Sequence, residues 1–258
     1  QHAISHCMDH AFAQNGLDCP GLENTRTIIG LSLPEAITKL AAPNRIDDAL
    51  IDAITVAYKT AFFTLRQTPD FHEPLFPGVR EVLAELDRRQ WLSGVATGKA
   101  RRGLDAVLAR NELEGRFVTL QTCDNHPSKP NPAMLMAALE ETGVDAPNAA
   151  IVGDTSYDIE MGRAAGMIAI GVDWGYHDVD TLHKSGAHAV ISHFDDLPVV
   201  LDRIWESDRD ALAPVLVMLL AGHGVGGTHQ LRFEIALELG LRQLPCQPPR
   251  RAGHRTRV

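Results

Sequence analysis

The most constraining feature of the chain is an alternation of short apolar runs with helix-like stretches from about residue 92 to residue 205. The apolar runs are "LSGVAT" (92–97), "FVTLQT" (117–122), "AAIVG" (149–153), "MIAIGV" (167–172) and "AVI" (189–191). Helix patterns fall near 100–111, 131–142, 157–165, 178–185 and 195–205. Short, almost wholly apolar strands separated by helices predict an α/β fold, a doubly wound parallel sheet covered on both faces. In such sheets ligands collect where the strands end at their carboxyl edge. The residues to weigh are therefore Thr97 and Gly98, Asp124 to Lys129, Asp154 to Asp158, and Asp173 to Gly175.

The first 70 residues read differently. "AISHCMDHAFAQNGL" places Ile4, Met8, Ala11 and Phe12 on one helical face with Gly16 as a stop, and "DDALIDAITVAYKTAFFTL" repeats the period from Leu50 to Leu65. In "IIGLSLPEAITKL" between them, Ser32 has the position of a helix cap, with Pro34 in the first turn and Glu35 three residues on. Pro74, Pro77 and Gly78 mark the change of grammar. The expected division is a helical module over 1–72, an α/β unit over 73–205 and a C-terminal extension over 206–258 that is poorly ordered.

Composition limits the function classes. The net charge is −9, but five arginines and no acid lie in residues 241–258, so the remainder holds 19 of the 24 bases against all 33 acids, or −14. An acidic body disfavours nucleic acid as a partner, and the basic tail reads as a solvated segment. The longest apolar run, "LAPVLVMLLAG" at 212–222, falls short of the roughly 18 residues of a membrane helix. Cys7, Cys19, Cys123 and Cys246 show neither metal-ligand spacing nor a disulfide framework, so a reducing cytoplasm is expected. No secretory signal is visible, and the first residue, Gln1, is expected to belong to a fragment.

Three pieces carry the chemistry. In "AAIVGDTSYDIEMGRAAG" Asp154 stands where a strand emerges and Asp158 in the first turn that follows. Paired acids there suit Mg²⁺, which takes one or two carboxylates and keeps several waters, or they simply cap the helix. "SKPNPAML" sets Lys129 before two prolines that stiffen the turn, either facing the crevice or solvated. "VATGKARRGL" ends a strand in Thr97 with Gly98 behind it, a hydroxyl and a backbone N–H that can hold phosphate or cap an ordinary helix.

The three together, in this order and at strand ends, resemble the haloacid dehalogenase-like superfamily. "KPNPAML", "AAGMIAIGVDWG" and the helices joined through "PLFPGV" are similar to its phosphoglycolate phosphatase and β-phosphoglucomutase branch, with a four-helix cap over a Rossmann-like core. The resemblance covers roughly residues 1–205. It implies a Mg²⁺-dependent phosphatase acting on a small phosphorylated metabolite. Thr97 and Lys129 become catalytic, Thr97, Gly98 and Lys129 bind the phosphate, and Asp154 with Asp158 hold the metal. A 2-haloacid dehalogenase, which needs no metal, is disfavoured by the Gly-Asp-x-x-x-Asp pattern.

One part of the family pattern is absent. An apolar strand ending in Asp-x-Asp-Gly-Thr, whose first Asp attacks phosphorus and whose second is the general acid and base, is not in the chain. Asp9 and Asp18 read as surface or helix-end acids. The chain as it stands is therefore expected to be inactive, with a non-catalytic phosphate- or partner-binding protein and a β-phosphoglucomutase-like phosphotransferase as the alternatives. The missing strand would leave a slot between "LSGVAT" and "AAIVG", and "PVLVMLL" (214–220) is the unassigned apolar run expected to fill it. "GHGVGG" (222–227), His223 and His229 lack the context of a phosphate loop or metal site, and "QPPRRAGHRTRV" reads as unstructured.

Overall fold

The computed structural model describes residues 2–69, 71, 75–206 and 215–218. Helices α1 (His2–Gln14), α2 (Gly21–Arg26), α3 (Leu33–Ala41) and α4 (Asp48–Arg66) pack around one apolar cluster. Met8, Phe12, Ile37 and Ile54 are its largest fully buried side chains. Asp47 starts α4 by accepting the Leu50 N–H at 2.9 Å. Ser32 does occupy the position before α3, but its hydroxyl makes no cap bond. The expected capping box is not formed there, and the Ser32 amide instead bonds the Ser128 hydroxyl on the other module. The short helix α2 had no periodic pattern to announce it.

From Val79 the chain builds a sheet. In order come α5 (Val79–Arg88), β1 (Leu92–Thr97), α6 (Arg101–Arg110), β2 (Thr119–Thr122), α7 (Ala133–Thr142), β3 (Ala149–Gly153), α8 (Ser156–Ala164), β4 (Ile168–Val172), α9 (Val179–Lys184), β5 (Ala189–Ile191) and α10 (Leu197–Glu206). A last strand, β6 (Val215–Met218), follows. All pairings are parallel and the spatial order is β2-β1-β6-β3-β4-β5. Alternate residues face opposite ways: Val95, Val152 and Ile170 join the cluster with α5, α6 and α10, while Ala96, Ile151 and Ala169 join the one with α7, α8 and α9. Helices on both faces explain why the strands lack a polar side.

β6 is the informative departure. It lies between β1 and β3, so "PVLVMLL" does enter the slot, over Val215–Met218. The picture of 206–258 as an extension outside the fold is corrected at these residues and at Glu206, which ends α10. The physical reason is that two facing strand edges carry unpaired backbone donors and acceptors that are costly to bury, and an apolar extended segment satisfies both edges at once. "GHGVGG", His223, His229 and "QPPRRAGHRTRV" lie outside the described residues. β2 is shorter than expected at its start, with Phe117 buried ahead of it.

Among the described residues no helix is long and apolar enough to cross a membrane. Cys7 and Cys123 are free thiols, and burial pushes Cys7 up to about 12.

A proline in β6 removes a ladder donor from a central strand. Val217→Pro should lower unfolding free energy by about 1–3 kcal/mol, the cost of a buried backbone partner left unsatisfied, as read from the urea midpoint.

Candidate active site

The sheet register sets the site. Val95 of β1 and Val152 of β3 both stand level with Met218 of β6. Thr97 and Asp154, each two residues further on, therefore meet the carboxyl edge at the same height on either side of the central strand. Two strand spacings separate them, about 10 Å. Thr97 is buried and its hydroxyl accepts the Lys99 N–H at 3.2 Å. It does not cap α6: Ala100 holds that position, and the free Arg101 N–H is taken by Asp124 from the next loop at 2.6 Å.

Lys129 reaches the same edge from the loop after β2. It is 3% exposed, and its Nζ lies 2.8 Å from Oδ1 of Asp158, itself 2% exposed. The other Asp158 oxygen accepts from the Thr155 N–H at 3.1 Å and the Thr155 hydroxyl at 2.8 Å, closing a capping box at the start of α8. Both readings of Asp158 thus meet in one side chain, which caps the helix with one oxygen and neutralises Lys129 with the other. Gly153 is required beneath it, because any Cβ there would strike the Asp158 side chain.

Asp154 is the less compensated of the two acids. It is 4% exposed, and its Oδ2 accepts the Tyr176 N–H at 3.2 Å. Burial, then the charge of Asp158, pushes its carboxyl up to about 7, against a partial offset from Lys129. Two carboxylates and one ammonium share a volume that excludes water, so the site calls for one more positive charge. Mg²⁺ fits Asp154 on this ground, since it accepts a single carboxylate with waters completing its shell. Asp158, whose oxygens accept from Lys129 and Thr155, adds a second negative charge beside it. Among the described residues no three His, Cys, Asp or Glu side chains gather as a metal-binding group. Gly175 belongs to the site too, since a Cβ there would collide with Asp154.

One turn of the helical module closes over these loops. A Cβ on Gly98 would come within 2.9 Å of the Gly30 carbonyl oxygen and 3.0 Å of that of Leu31. The Ser32 N–H donates to Ser128 Oγ at 2.8 Å, one residue before Lys129. The Tyr157 hydroxyl donates to the Thr27 carbonyl at 2.8 Å and accepts from Lys39 Nζ at 2.5 Å. Residues 27–32 and Lys39 therefore touch the loops after β1, β2 and β3 together. Ser128, Thr155, Tyr157 and Gly175 lie in the strand-end stretches weighed from sequence but were given no role there; only the Thr-x-x-Asp spacing of Thr155 and Asp158 carried a readable signal.

A buried lysine–carboxylate pair, a buried lone carboxylate and a strand-end threonine at the carboxyl edge of a parallel sheet, under a helical cover, define the class. The haloacid dehalogenase-like hydrolase family matches residues 1–172, and the chain belongs to that family. It is 36% identical over 177 residues to the protein of Dickeya dadantii named "Probable phosphatase IndB", covering 67% of this chain and 74% of that one. It is 28% identical over 210 residues to the phosphoglycolate phosphatase of Pseudomonas savastanoi pv. phaseolicola, covering 80% and 75%. The crystal structure of a hydrolase from Pseudomonas syringae shares the fold, with a TM-score of 0.69 at 21% identity over 79% of this chain and 92% of that one.

A folded-state carboxyl raised from 3.8 to about 7 leaves stability whole below about pH 4 and erodes it as pH rises through 7. In chelator, the thermal midpoint of the wild-type chain should fall across that window relative to Asp154→Asn, whose uncharged amide lacks the penalty. Millimolar Mg²⁺ should recover the loss above pH 7 in the wild type alone. A second outcome concerns Gly98→Ala, which forces the Gly30–Leu31 turn away from β1. Amide exchange at Ser32 should then quicken by about tenfold, the factor for one hydrogen bond weakened by about 1.4 kcal/mol.

Proposed function

We propose that the chain is the phosphate-handling part of a Mg²⁺-dependent phosphomonoester hydrolase of the phosphoglycolate phosphatase type, with residues 1–72 as cap and 73–205 as core. The observation that carries the reading is the Lys129–Asp158 pair at 2.8 Å, buried beside Asp154 at the edge where the Thr97 strand ends. A buried ammonium held by one carboxylate next to a second carboxylate that burial disfavours is an arrangement for a multiply charged ligand and its counter-ion. The name of the Pseudomonas savastanoi relative supports a small phosphorylated acid as the substrate class.

In this reading Thr97 Oγ1 and the Gly98 N–H hold phosphoryl oxygens, and the missing side chain of Gly98 leaves room for the Gly30–Leu31 turn to close over them. Lys129 offsets the charge of phosphate, held in place by Asp158 so that it needs no reorganisation when charge shifts. Mg²⁺, held by Asp154, would neutralise the transferring group. The cap turn at Gly30–Ser32 excludes water from the edge.

Attack on phosphorus by a carboxylate is what the resemblance implies, and the segment that pairs between β1 and β3 has none to offer. Val215–Met218 is followed in sequence by Leu219, Leu220, Ala221 and Gly222. The chain as it stands should show no Mg²⁺-dependent hydrolysis of an aryl phosphate above background. Joining an apolar strand ending in Asp-x-Asp-Gly-Thr ahead of Gln1, in competition with Val215–Met218 for the same slot, should produce it. That activity should drop by roughly 10²-fold or more on Thr97→Val, Lys129→Ala or Asp154→Ala. A folded, extended protein that turns over nothing across a panel of small phosphomonoesters would sink the hydrolase reading.

A second reading, phosphate binding without turnover, is favoured by that same carboxylate-free central strand. Calorimetric binding of inorganic phosphate by the unextended chain, lost in Lys129→Ala, would support it.

A further inference from the structure

A line of polar side chains runs along the α7 face of the edge strand β2. Thr119 and Gln121, two residues apart, are 2% and 6% exposed on a face otherwise built around Met134, Leu135 and Ala138. Thr119 Oγ1 lies 2.5 Å from Glu141 Oε2 at the end of α7, Gln121 Nε2 lies 2.8 Å from Thr119 Oγ1, and His126 Nε2 lies 2.8 Å from Gln121 Oε1. One assignment of donors satisfies the series. The Glu141 carboxylate only accepts, so the Thr119 hydroxyl donates to it and receives from the Gln121 amide nitrogen. The Gln121 oxygen is left as acceptor, and His126 must present Nε2–H. Buried polar groups are unfavourable unless every member is paired, so the series holds its geometry as a unit.

Its last member stands in the loop that delivers Lys129. That loop is tied at Asp124 to the Arg101 N–H at 2.6 Å and at Ser128 to the cap, and it ends with Lys129 Nζ on Asp158. His126 ties the middle of it to the interior of the sheet. We propose that His126 is a positioning residue for Lys129: by donating to Gln121 it fixes the course of residues 124–129 and so the depth at which the ammonium meets Asp158. The catalytic meaning of this rests on the phosphatase reading above, but the positioning itself involves no phosphorylated ligand.

Two measurements on the full chain test it. Imidazole ¹⁵N NMR, with the His126 signal assigned by its loss in His126→Ala, should show the Nε2–H tautomer; an Nδ1–H tautomer would overturn the proposal. Reductive methylation with formaldehyde and a mild borane, read by peptide mass, should find Lys129 modified about tenfold faster in His126→Ala and in Gln121→Met, the factor for one lost hydrogen bond. Exposed Lys184 should be unchanged, and His126→Gln, which restores an N–H donor, should return Lys129 toward its wild-type rate. Equal Lys129 rates in wild type and both variants would overturn the proposal. Blocked labelling of buried Cys7 confirms that a variant is folded, and should one unmask it, the other variant and the wild-type tautomer decide. If phosphate binding fails altogether, these outcomes keep their meaning, because neither measurement uses phosphate.

Discussion

The buried contact between Lys129 and Asp158 is the constraint around which the rest is arranged. Moving an ammonium and a carboxylate out of water costs several kcal/mol for each ion, and the mutual attraction offsets this only with good geometry and every remaining polar atom paired. On the Asp158 side the structure meets both conditions. Thr155 takes the second Asp158 oxygen twice, and Gly153 gives up its side chain so that Asp158 can sit over the strand end. Asp154 is compensated less, by the Tyr176 N–H and a partial offset from Lys129, and burial together with the charge of Asp158 pushes its carboxyl up.

The same edge explains why the two modules meet where they do. Gly30, with φ of 106°, makes the turn that lets backbone lie directly on Gly98, and contact this close is open only to residues without a side chain. Tyr157 and Ser128 then join the cap to α8 and to the lysine loop by hydrogen bonds. Charge at the edge and closure over it are thus carried by neighbouring residues: Ser128 precedes Lys129, and Tyr157 precedes Asp158.

Much of this was legible in the sequence. The strands "LSGVAT", "AAIVG" and "AVI" keep their expected bounds because a strand buried on both faces leaves a continuous apolar run, and turn residues punctuate it. Thr97, Asp154 and Asp158 stood out because they end or follow strands or open a helix, and Lys129 because two prolines mark its loop, positions that a one-dimensional pattern can locate. Ser32 misled for the complementary reason. Its spacing to Glu35 is that of a capping box, but a partner 96 residues away took its amide, and no local pattern carries such a contact.

What the sequence by itself determined is the period of each element, the order of strands and helices along the chain, and the residues that leave the sheet at its carboxyl edge. Only the tertiary structure decided that Asp158 spends its oxygens on Lys129 and Thr155 while Asp154 is left with less, and that Thr119, Gln121 and His126 form one hydrogen-bonded series. The division has a physical cause. Periodicity reports which side of an element avoids water, whereas strand order and buried charge are settled by which distant groups satisfy one another once water is gone.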